Sequence, residues 1–261
     1  METLLAQYCK RLHFGSNIVD NATSISAENN IDFLTELFKM ELDNREIKRK
    51  NTYIKQANFD IKKTFENYSF EGIQIPSTIT AEDIMNAEFV KKKENLILYG
   101  PVGNGKTHMG IAAGIAACNK SIKVKFFRTA ALVNDLVDAK KNGTLRKFMK
   151  SLEKCELLIC DEWGYVPVDS EGAKLLFQVI ADCYERKSII ITTNLEFGKW
   201  NGIFYDEKIT AAIIDRVVHH SHLIVFDRPS YRVEYSTIRA GERNRETAMN
   251  RRPYGTGGDG V

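Results

Sequence analysis

The feature that most constrains this chain is the stretch from Asn95 to Thr107. It reads as a short apolar strand, a glycine-rich turn, and Lys-Thr at the start of a helical pattern. The spacing fits G-x-x-x-x-G-K-[ST] at every fixed position, and loops of this kind wrap their backbone N–H groups around phosphates. A chance glycine-rich turn is the alternative, and the strand before the loop and the helix after it argue against that alternative.

The residue types of this loop suit a bound nucleotide and Mg²⁺. The Lys106 ammonium would reach the β- and γ-phosphates, and the Thr107 hydroxyl would bind Mg²⁺. The helix that begins near Gly105 would add its positive dipole end. We expect the nucleotide contacts to come from Gly100, Pro101, Val102, Gly103, Asn104, Gly105, Lys106, Thr107 and His108.

An acidic pair follows the loop at a distance of about 55 residues. The apolar strand pattern Glu156–Cys160 ends in Asp161 and Glu162. Ligands gather at the carboxyl ends of parallel strands, so Asp161 is expected in the Mg²⁺ shell, and Glu162 is expected to orient and deprotonate the attacking water. Acids after strands are common, and the pair becomes informative only through its spacing from the Lys-Thr pair.

Strand and helix patterns alternate through the middle of the chain. They predict an α/β fold, with a parallel five-stranded sheet and helices on both faces. The expected strands are Asn95–Tyr99, Lys123–Phe127, Glu156–Cys160, Lys187–Thr193 and Leu223–Phe226.

Two connections in this pattern carry further expectations. Asn194 follows the fourth strand, and its amide either holds the attacking water, touches the γ-phosphate, or simply forms a turn. Gly143 separates two helical patterns at residues 130–140 and 145–154. A simple crossover between parallel strands needs only one helix, so the second pattern indicates an insertion.

The chain divides into three predicted parts. Residues 1–60 show helical patterns and few breakers, which predicts a small helical module for contact with a partner or DNA, or a plain structural lid. Residues 61–240 form the expected nucleotide domain, and the Arg- and Gly-rich residues 241–261 are expected to be disordered. Aromatic residues that precede the loop either floor an adenine pocket or pack in the core: Phe59, Phe65, Tyr68 and Phe70.

Charge is clustered along the chain. The net charge is only +3, yet several basic residues fall in or beside the inserted helix. Clusters of this kind contact the phosphates of nucleic acids, although solvated helix faces explain most of them. The candidate DNA contacts are Lys140, Lys141, Arg146, Lys147 and Lys150.

Other features exclude some classes of protein. The five cysteines are scattered, which indicates buried free thiols. No carboxylate or thiol at ligand spacing joins His219, His220 and His222, so no metal site is expected there. No window approaches the ~18 apolar residues of a membrane span, and the N-terminus lacks the plan of a signal peptide, so we expect a cytoplasmic protein without membrane contact.

Taken together, these motifs resemble the initiator clade of AAA+ ATPases. Within that clade the chain is similar to the IstB-type transposition helpers, which are relatives of the DnaC-type helicase loaders. The resemblance covers roughly residues 60–240 well and the N-terminal module more loosely. The segments that carry it are Gly100–Thr107, Leu157–Gly164, Ile189–Asn194, Ile213–Arg216 and Ser230–Arg232.

The resemblance implies ATP as the nucleotide, hydrolysed with Mg²⁺ at the interfaces of a homo-oligomer. It also places the initiator-specific insertion, which helps DNA thread through a helical assembly, at the extra helix after Gly143. Arg216 could instead pair with Asp215 or another acid of its own helix. The implied roles are Walker A for Lys106 and Thr107, Walker B for Asp161 and Glu162, sensor 1 for Asn194, arginine finger for Arg216, and sensor 2 for Arg232.

Three functions compete at this point. The first is an ATPase that binds duplex DNA without sequence preference and assists a cognate transposase in target selection and insertion. The second is a helicase loader, and the third is a small-molecule P-loop kinase. The sequence offers no substrate lid or acceptor groups for a kinase. The first two share their ATPase core, and the overall likeness of the N-terminal module favours the transposition helper.

Overall fold

The centre of the molecule is one mixed sheet, seen in a computed structural model that describes residues 4–165, 167–204 and 206–231. Its strands lie in the order β1-β6-β2-β5-β4-β3. β1 runs antiparallel to β6, and the other neighbouring pairs are parallel. The strands are β1 (Ile73–Gln74), β2 (Asn95–Tyr99), β3 (Val124–Arg128), β4 (Leu157–Trp163), β5 (Ser188–Thr193) and β6 (Ser221–Phe226).

This sheet confirms the predicted α/β fold, and among the described residues it has six strands rather than the expected five. The additional strand, β1, has only two residues, and Ile73 pairs with Phe226. A pattern of two residues has no detectable period, so the sequence could not reveal it. The third predicted strand is also longer than expected, because β4 continues through the acidic pair to Trp163.

Helices cover both faces of the sheet. The strand at its centre, β2, turns Leu96 and Leu98 towards one buried cluster and Ile97 towards the other, as alternation along a strand requires. The helices after the first strand are α4 (Ala81–Met85), α5 (Glu88–Lys91), α6 (Lys106–Asn119), α7 (Thr129–Lys141), α8 (Leu145–Glu153), α9 (Ser170–Cys183), α10 (Asn201–Phe204) and α11 (Glu207–Val218).

Helix α6, which follows the glycine-rich loop, lies very close to the sheet. A Cβ atom on Gly114 would stand 2.7 Å from Ile159 Cδ1 and 2.9 Å from the Phe59 ring. Such distances leave no room for a side chain. The small residues of α6 therefore let the sheet hold the loop in a fixed position.

Three helices precede the sheet: α1 (Leu4–Arg11), α2 (Ile18–Ser24) and α3 (Asn30–Ala57). The Asn29 side chain caps α3 by accepting from the backbone of Ile31 and Asp32. The far end of α3 joins the core, because Ala57 is buried there. The division of the chain at residue 60 remains a prediction, as does the disorder of residues 241–261, which lie outside the described residues.

The cysteines are free thiols. Cys118, Cys155, Cys160 and Cys183 are buried, as expected, whereas Cys9 is only partly covered. Burial raises the pKa of Cys118 to about 12, so this side chain remains a neutral thiol. Across the described ranges, none of the helices has both the length and the apolar character needed to span a membrane.

Candidate active site

The loop between β2 and α6 depends on three glycines. Gly100, Gly103 and Gly105 have φ angles of 151°, 85° and 96°, which side chains rarely adopt. Space is also lacking, because a Cβ atom on Gly103 would collide with Ser230, and one on Gly105 with Arg228. The loop therefore needs glycine for its conformation and for the close approach of the chain that follows β6.

The Lys106 ammonium lies inside this loop. It donates to the carbonyl oxygens of Gly100 at 2.7 Å and Pro101 at 2.6 Å, and it stands 3.3 Å from Asn104 Oδ1. Lys106 is 6% exposed. A buried cation held by neutral oxygens can exchange those partners for phosphate oxygens, which suits the role predicted for Lys106.

Thr107 and Asp161 meet across the gap between α6 and β4. The Thr107 hydroxyl donates a hydrogen bond of 2.9 Å to Asp161 Oδ1, and the same oxygen accepts from Thr192 on β5. Asp161 is 2% exposed, so its carboxylate needs such partners. A hydroxyl and a carboxylate oxygen side by side are hard ligands of the kind Mg²⁺ prefers, and this donor set fits the predicted ion.

Glu162 has a backbone that carries strain. Its φ is 57°, and the pairing of β4 with β5 shifts register between Cys160 and Trp163. Its N–H donates to Thr192 Oγ1 at 3.0 Å, which holds the irregular turn in place. A non-glycine residue in this region costs roughly 1 kcal/mol or more, and such strain clusters at functional sites. Because of this bulge, the Glu162 carboxylate need not follow the regular alternation of side chains that starts from Asp161.

The structure places Arg216 far from the loop of its own chain. Arg216 lies near the end of α11, where Val217 accepts a hydrogen bond of 3.1 Å from the Asn95 side chain. Asn95 begins β2, whereas the loop follows Tyr99 at the other end of that strand. Four residue steps along a strand span about 13 Å. Arg216 and the phosphate loop therefore lie towards opposite edges of the sheet.

The surroundings of Arg216 are aromatic. Its guanidinium stands 5.1 Å from the ring centroid of Phe177 on α9 and donates to Ala212 O at 2.9 Å. Within the described residues, Arg216 forms no ion pair with Asp215 or with another acid. The local ion pair considered from the sequence is therefore not the arrangement found.

Of the two sensor candidates, Asn194 lies within the described residues and Arg232 does not. Asn194 directly follows β5 and is partly buried, at the same edge of the sheet as the loop. Gly100 N donates to Thr193 O at 3.2 Å, so the end of β5 is tied to the start of the loop. Arg232 lies outside the described residues. Both roles remain predictions.

Arg228 is a site residue that sequence reasoning missed. Its Nε donates to Asn104 O at 2.7 Å, and its Nη1 donates to Ser69 O at 3.0 Å. The guanidinium also stands 5.5 Å from the Tyr68 ring centroid. Arg228 thus joins the loop to the segment before β1. Its position just after a strand was the only signal in the sequence, and Arg128, directly after the predicted strand Lys123–Phe127, carries the same signal.

All four aromatic residues before the loop pack against the same buried cluster, and their ring contacts divide them into two groups. Phe59 packs with Phe126 in the core, at a centroid distance of 5.9 Å. Tyr68 instead packs 5.2 Å from Phe70 and 4.8 Å from the ring of His108, beside the loop. Burial raises the pKa of Tyr68 to about 12, so the phenol stays neutral. An adenine-binding role for this second group remains a prediction.

Helix α8, the predicted insertion, presents an exposed basic face. Met149 and Leu152 are buried beneath it, whereas Arg146, Lys147 and Lys150 face solvent. None of these three cations forms an ion pair with an acid in the part of the chain that the structure describes. Of the neighbouring candidates, Lys141 is exposed and Lys140 pairs with Glu171 at 2.7 Å.

Relatives of this chain come from bacterial insertion sequences. The ATP-binding protein of insertion sequence IS232 from Bacillus thuringiensis subsp. berliner is 34% identical over 231 residues, which cover 87% of this chain and 92% of that protein. The ATP-binding protein of insertion sequence IS5376 from Geobacillus stearothermophilus is 33% identical over 240 residues, 89% of this chain and 95% of that protein.

Solved structures agree on the fold. AMPPCP-bound DnaA from Aquifex aeolicus matches with a TM-score of 0.51 at 21% identity, over 72% of this chain and 57% of that chain. DnaI matches with a TM-score of 0.51 at 16% identity, over 65% of this chain and 90% of that chain. These likenesses confirm the AAA+ type of P-loop fold.

The family is settled by a match over most of the sequence. The model of the family described as IstB-like ATP binding protein matches residues 15–238. This match and the insertion-sequence relatives confirm the resemblance inferred from the motifs. The chain therefore belongs to the IstB-like family of ATP-binding proteins.

Proposed function

We propose that this chain hydrolyses ATP at the interfaces of a homo-oligomer on duplex DNA and thereby assists a transposase. The observation that carries the ATPase part is the contact between Thr107 and Asp161, with Glu162 next to it on the bulged strand. A metal-binding pair, an adjacent carboxylate and a lysine inside a phosphate loop are the parts that phosphoryl transfer to water requires.

Each residue then has a definite task in hydrolysis. The Lys106 ammonium neutralises the β- and γ-phosphate oxygens, and the Glu162 carboxylate orients the attacking water and accepts its proton. Thr107 and Asp161 would hold Mg²⁺, which supplies charge neutralisation at the phosphates. The Asn194 amide, at the same edge of the sheet, would hold the water.

A second subunit completes the site. Arg216 lies towards the opposite edge of the sheet from its own loop, so it is poorly placed to act on its own nucleotide. Its partly exposed guanidinium instead suits the γ-phosphate of a neighbouring subunit. ATP at such an interface contacts both subunits and favours assembly, because a ligand stabilises the state that it binds better.

DNA and a transposase are the proposed partners. The exposed cations of α8 suit the phosphate backbone, which binds with little regard to sequence. The relatives named above belong to insertion sequences, mobile elements whose movement needs a transposase, and this favours a transposase over a replicative helicase. A helicase loader is the alternative, and parallel pull-downs with the cognate transposase and with a hexameric helicase separate the two.

The test of the proposal uses Glu162→Gln, which keeps the side-chain shape and removes the carboxylate. ATP should still bind, turnover should fall by about 100-fold or more with the loss of a general base, and ATP-dependent oligomers should persist, especially with duplex DNA. Particle size is measured with ATP and with ADP, with and without DNA. Glu36→Gln, an exposed change on α3, is the matched control. A variant that binds ATP yet stays monomeric with ATP and DNA would contradict the proposal.

A further inference from the structure

Three exposed side chains that could serve as metal ligands lie close together, far from the phosphate loop. Glu185, His219 and His220 each offer one ligand atom, and these atoms lie within 4.8 Å of one another. Glu185 Oε1 is 3.6 Å from His220 Nε2, and the two histidine rings have centroids 4.1 Å apart. The sequence analysis expected no metal site at these histidines. Glu185 belongs to a different loop, and only the fold brings it close to them.

The separation between Glu185 and His220 suits a small transition-metal ion. Zn²⁺ binds imidazole nitrogen and carboxylate oxygen at about 2.0–2.2 Å, so tetrahedral ligand atoms stand roughly 3.4 Å apart. The separation of 3.6 Å between Glu185 and His220 is close to that value. Two imidazoles and one carboxylate form a known zinc ligand set, which leaves a fourth position for water.

A fourth residue supports the cluster from outside. Tyr184 Oη lies 2.7 Å from His219 Nδ1, in a hydrogen bond that orients the ring. Metal-bound histidines usually have such a partner on the second ring nitrogen, which fixes the ring and its tautomer. His222 does not belong to the cluster, because its ring pairs with Thr78 at 2.8 Å and Glu94 at 3.1 Å.

Two helix ends converge on the same place. Tyr184 is the C-terminal cap of α9, and His219 is the C-terminal cap of α11. The carboxyl end of a helix carries a partial negative charge, so two such ends favour a bound cation. Glu185 also has a φ of 56° at a position after a helix where glycine is usual. A carboxylate therefore stands at a position where glycine would fold more easily.

We propose that Glu185, His219 and His220 form a binding site for a divalent transition-metal ion, with Zn²⁺ as the best fit. The ion fastens the end of α11 to the end of α9. Arg216 lies one turn before these histidines on α11 and rests on Phe177 of α9. Metal binding therefore stiffens the pair of helices that carries the Arg216 side chain.

The test uses the full-length protein without a histidine tag, stripped of metal and kept in excess MgCl₂ so that the oxygen ligands near Thr107 are occupied. Calorimetric titration with ZnCl₂ should give one ion per chain, and the thermal midpoint should rise with Zn²⁺. The double change His219→Ala/His220→Ala should remove this binding. Glu185→Gln should weaken it by roughly tenfold or more, as changes around zinc ligands do.

Controls separate this site from other ligands. His13→Asn changes an exposed histidine elsewhere and should leave the affinity for Zn²⁺ unchanged. If the alanine pair fails to fold, His219→Gln/His220→Gln preserves more of the packing and serves in its place. Zinc binding with unchanged affinity and stoichiometry in either folded double variant would overturn the proposal. So would an original protein that binds no Zn²⁺ at micromolar concentrations.

Discussion

Arg228 Nε donates a hydrogen bond of 2.7 Å to the carbonyl oxygen of Asn104, and this bond ties the chain after β6 to the phosphate loop. Tyr231 N adds a second tie to Gly103 O at 3.0 Å. The segment that follows β6 is thus held against the phosphate loop at two points. A change in the segment that follows β6 is transmitted directly to the residues expected to surround the phosphates.

The first prediction tests this tie. Arg228→Ala removes hydrogen bonds made by a charged donor, each worth about 1.5–3 kcal/mol when buried and less at this partly exposed position. We expect ATP affinity to fall by roughly tenfold and Arg228→Lys to be intermediate, because lysine keeps the charge but cannot reach all the carbonyls. Nucleotide titration measures the effect, with Arg49→Ala on α3 as the control.

Thermal unfolding of the same variants separates two causes. A loss of stability without a loss of ATP affinity would mean that Arg228 only supports the fold. Unchanged affinity in a folded Arg228→Ala protein would show that the loop keeps its shape without this hydrogen bond.

The second prediction concerns the cation inside the loop. Lys106→Ala removes the charge that faces the phosphates, and ATP affinity should fall by about 100-fold if this interaction contributes roughly 3 kcal/mol. Lys120→Ala at the end of the same helix is the control, since that lysine pairs with Glu88 on the surface. Equal ATP affinity in a folded Lys106→Ala variant would remove Lys106 from the site.

The third prediction tests whether the site is shared. Arg216→Ala should bind ATP nearly as well as the original protein yet hydrolyse it slowly, because the arginine acts on a neighbour's nucleotide. Mixing this variant with Lys106→Ala should restore part of the activity, since some interfaces then combine an intact loop with an intact Arg216. Failure of rescue in mixed oligomers shown to form would place Arg216 in a purely structural role on Phe177.

The fourth prediction concerns DNA. Changing Arg146, Lys147 and Lys150 to glutamine should weaken binding of duplex DNA, because fewer counterions are released when the DNA binds. The slope of log affinity against log salt should fall by up to about 0.9 for each phosphate that is no longer neutralised. The matched control changes Lys91, Lys92 and Lys93 to glutamine, which removes the same charge elsewhere. Equal slopes in the two triple variants would assign the α8 cations to a solvated surface.

The sequence was sufficient to predict the parts of the site whose residues lie close together in the chain. The loop from Gly100 to Thr107 has fixed spacing because its backbone must fold around phosphates, and that requirement is local. The acidic pair was recognisable because it ends an apolar strand at about 55 residues from the Lys-Thr pair. These local patterns, repeated in order, were enough to identify the fold and the family.

Other features depend on contacts between distant segments, and only the tertiary structure decided them. The two-residue strand β1 exists because β6 pairs with it, and Glu162 adopts its unusual φ because Thr192 on β5 holds its N–H. Arg228 reaches Asn104 only because β6 lies beside β2.

The same reason applies to the cluster at the ends of α9 and α11. The sequence showed the histidines but not the carboxylate beside them, since Glu185 joins His219 and His220 only after β5 and β6 take their places on either side of β2. The sequence by itself determined which chemistry the loop can perform. The packing of strands from distant parts of the chain decided which further side chains reach that loop and which meet at the opposite edge of the sheet.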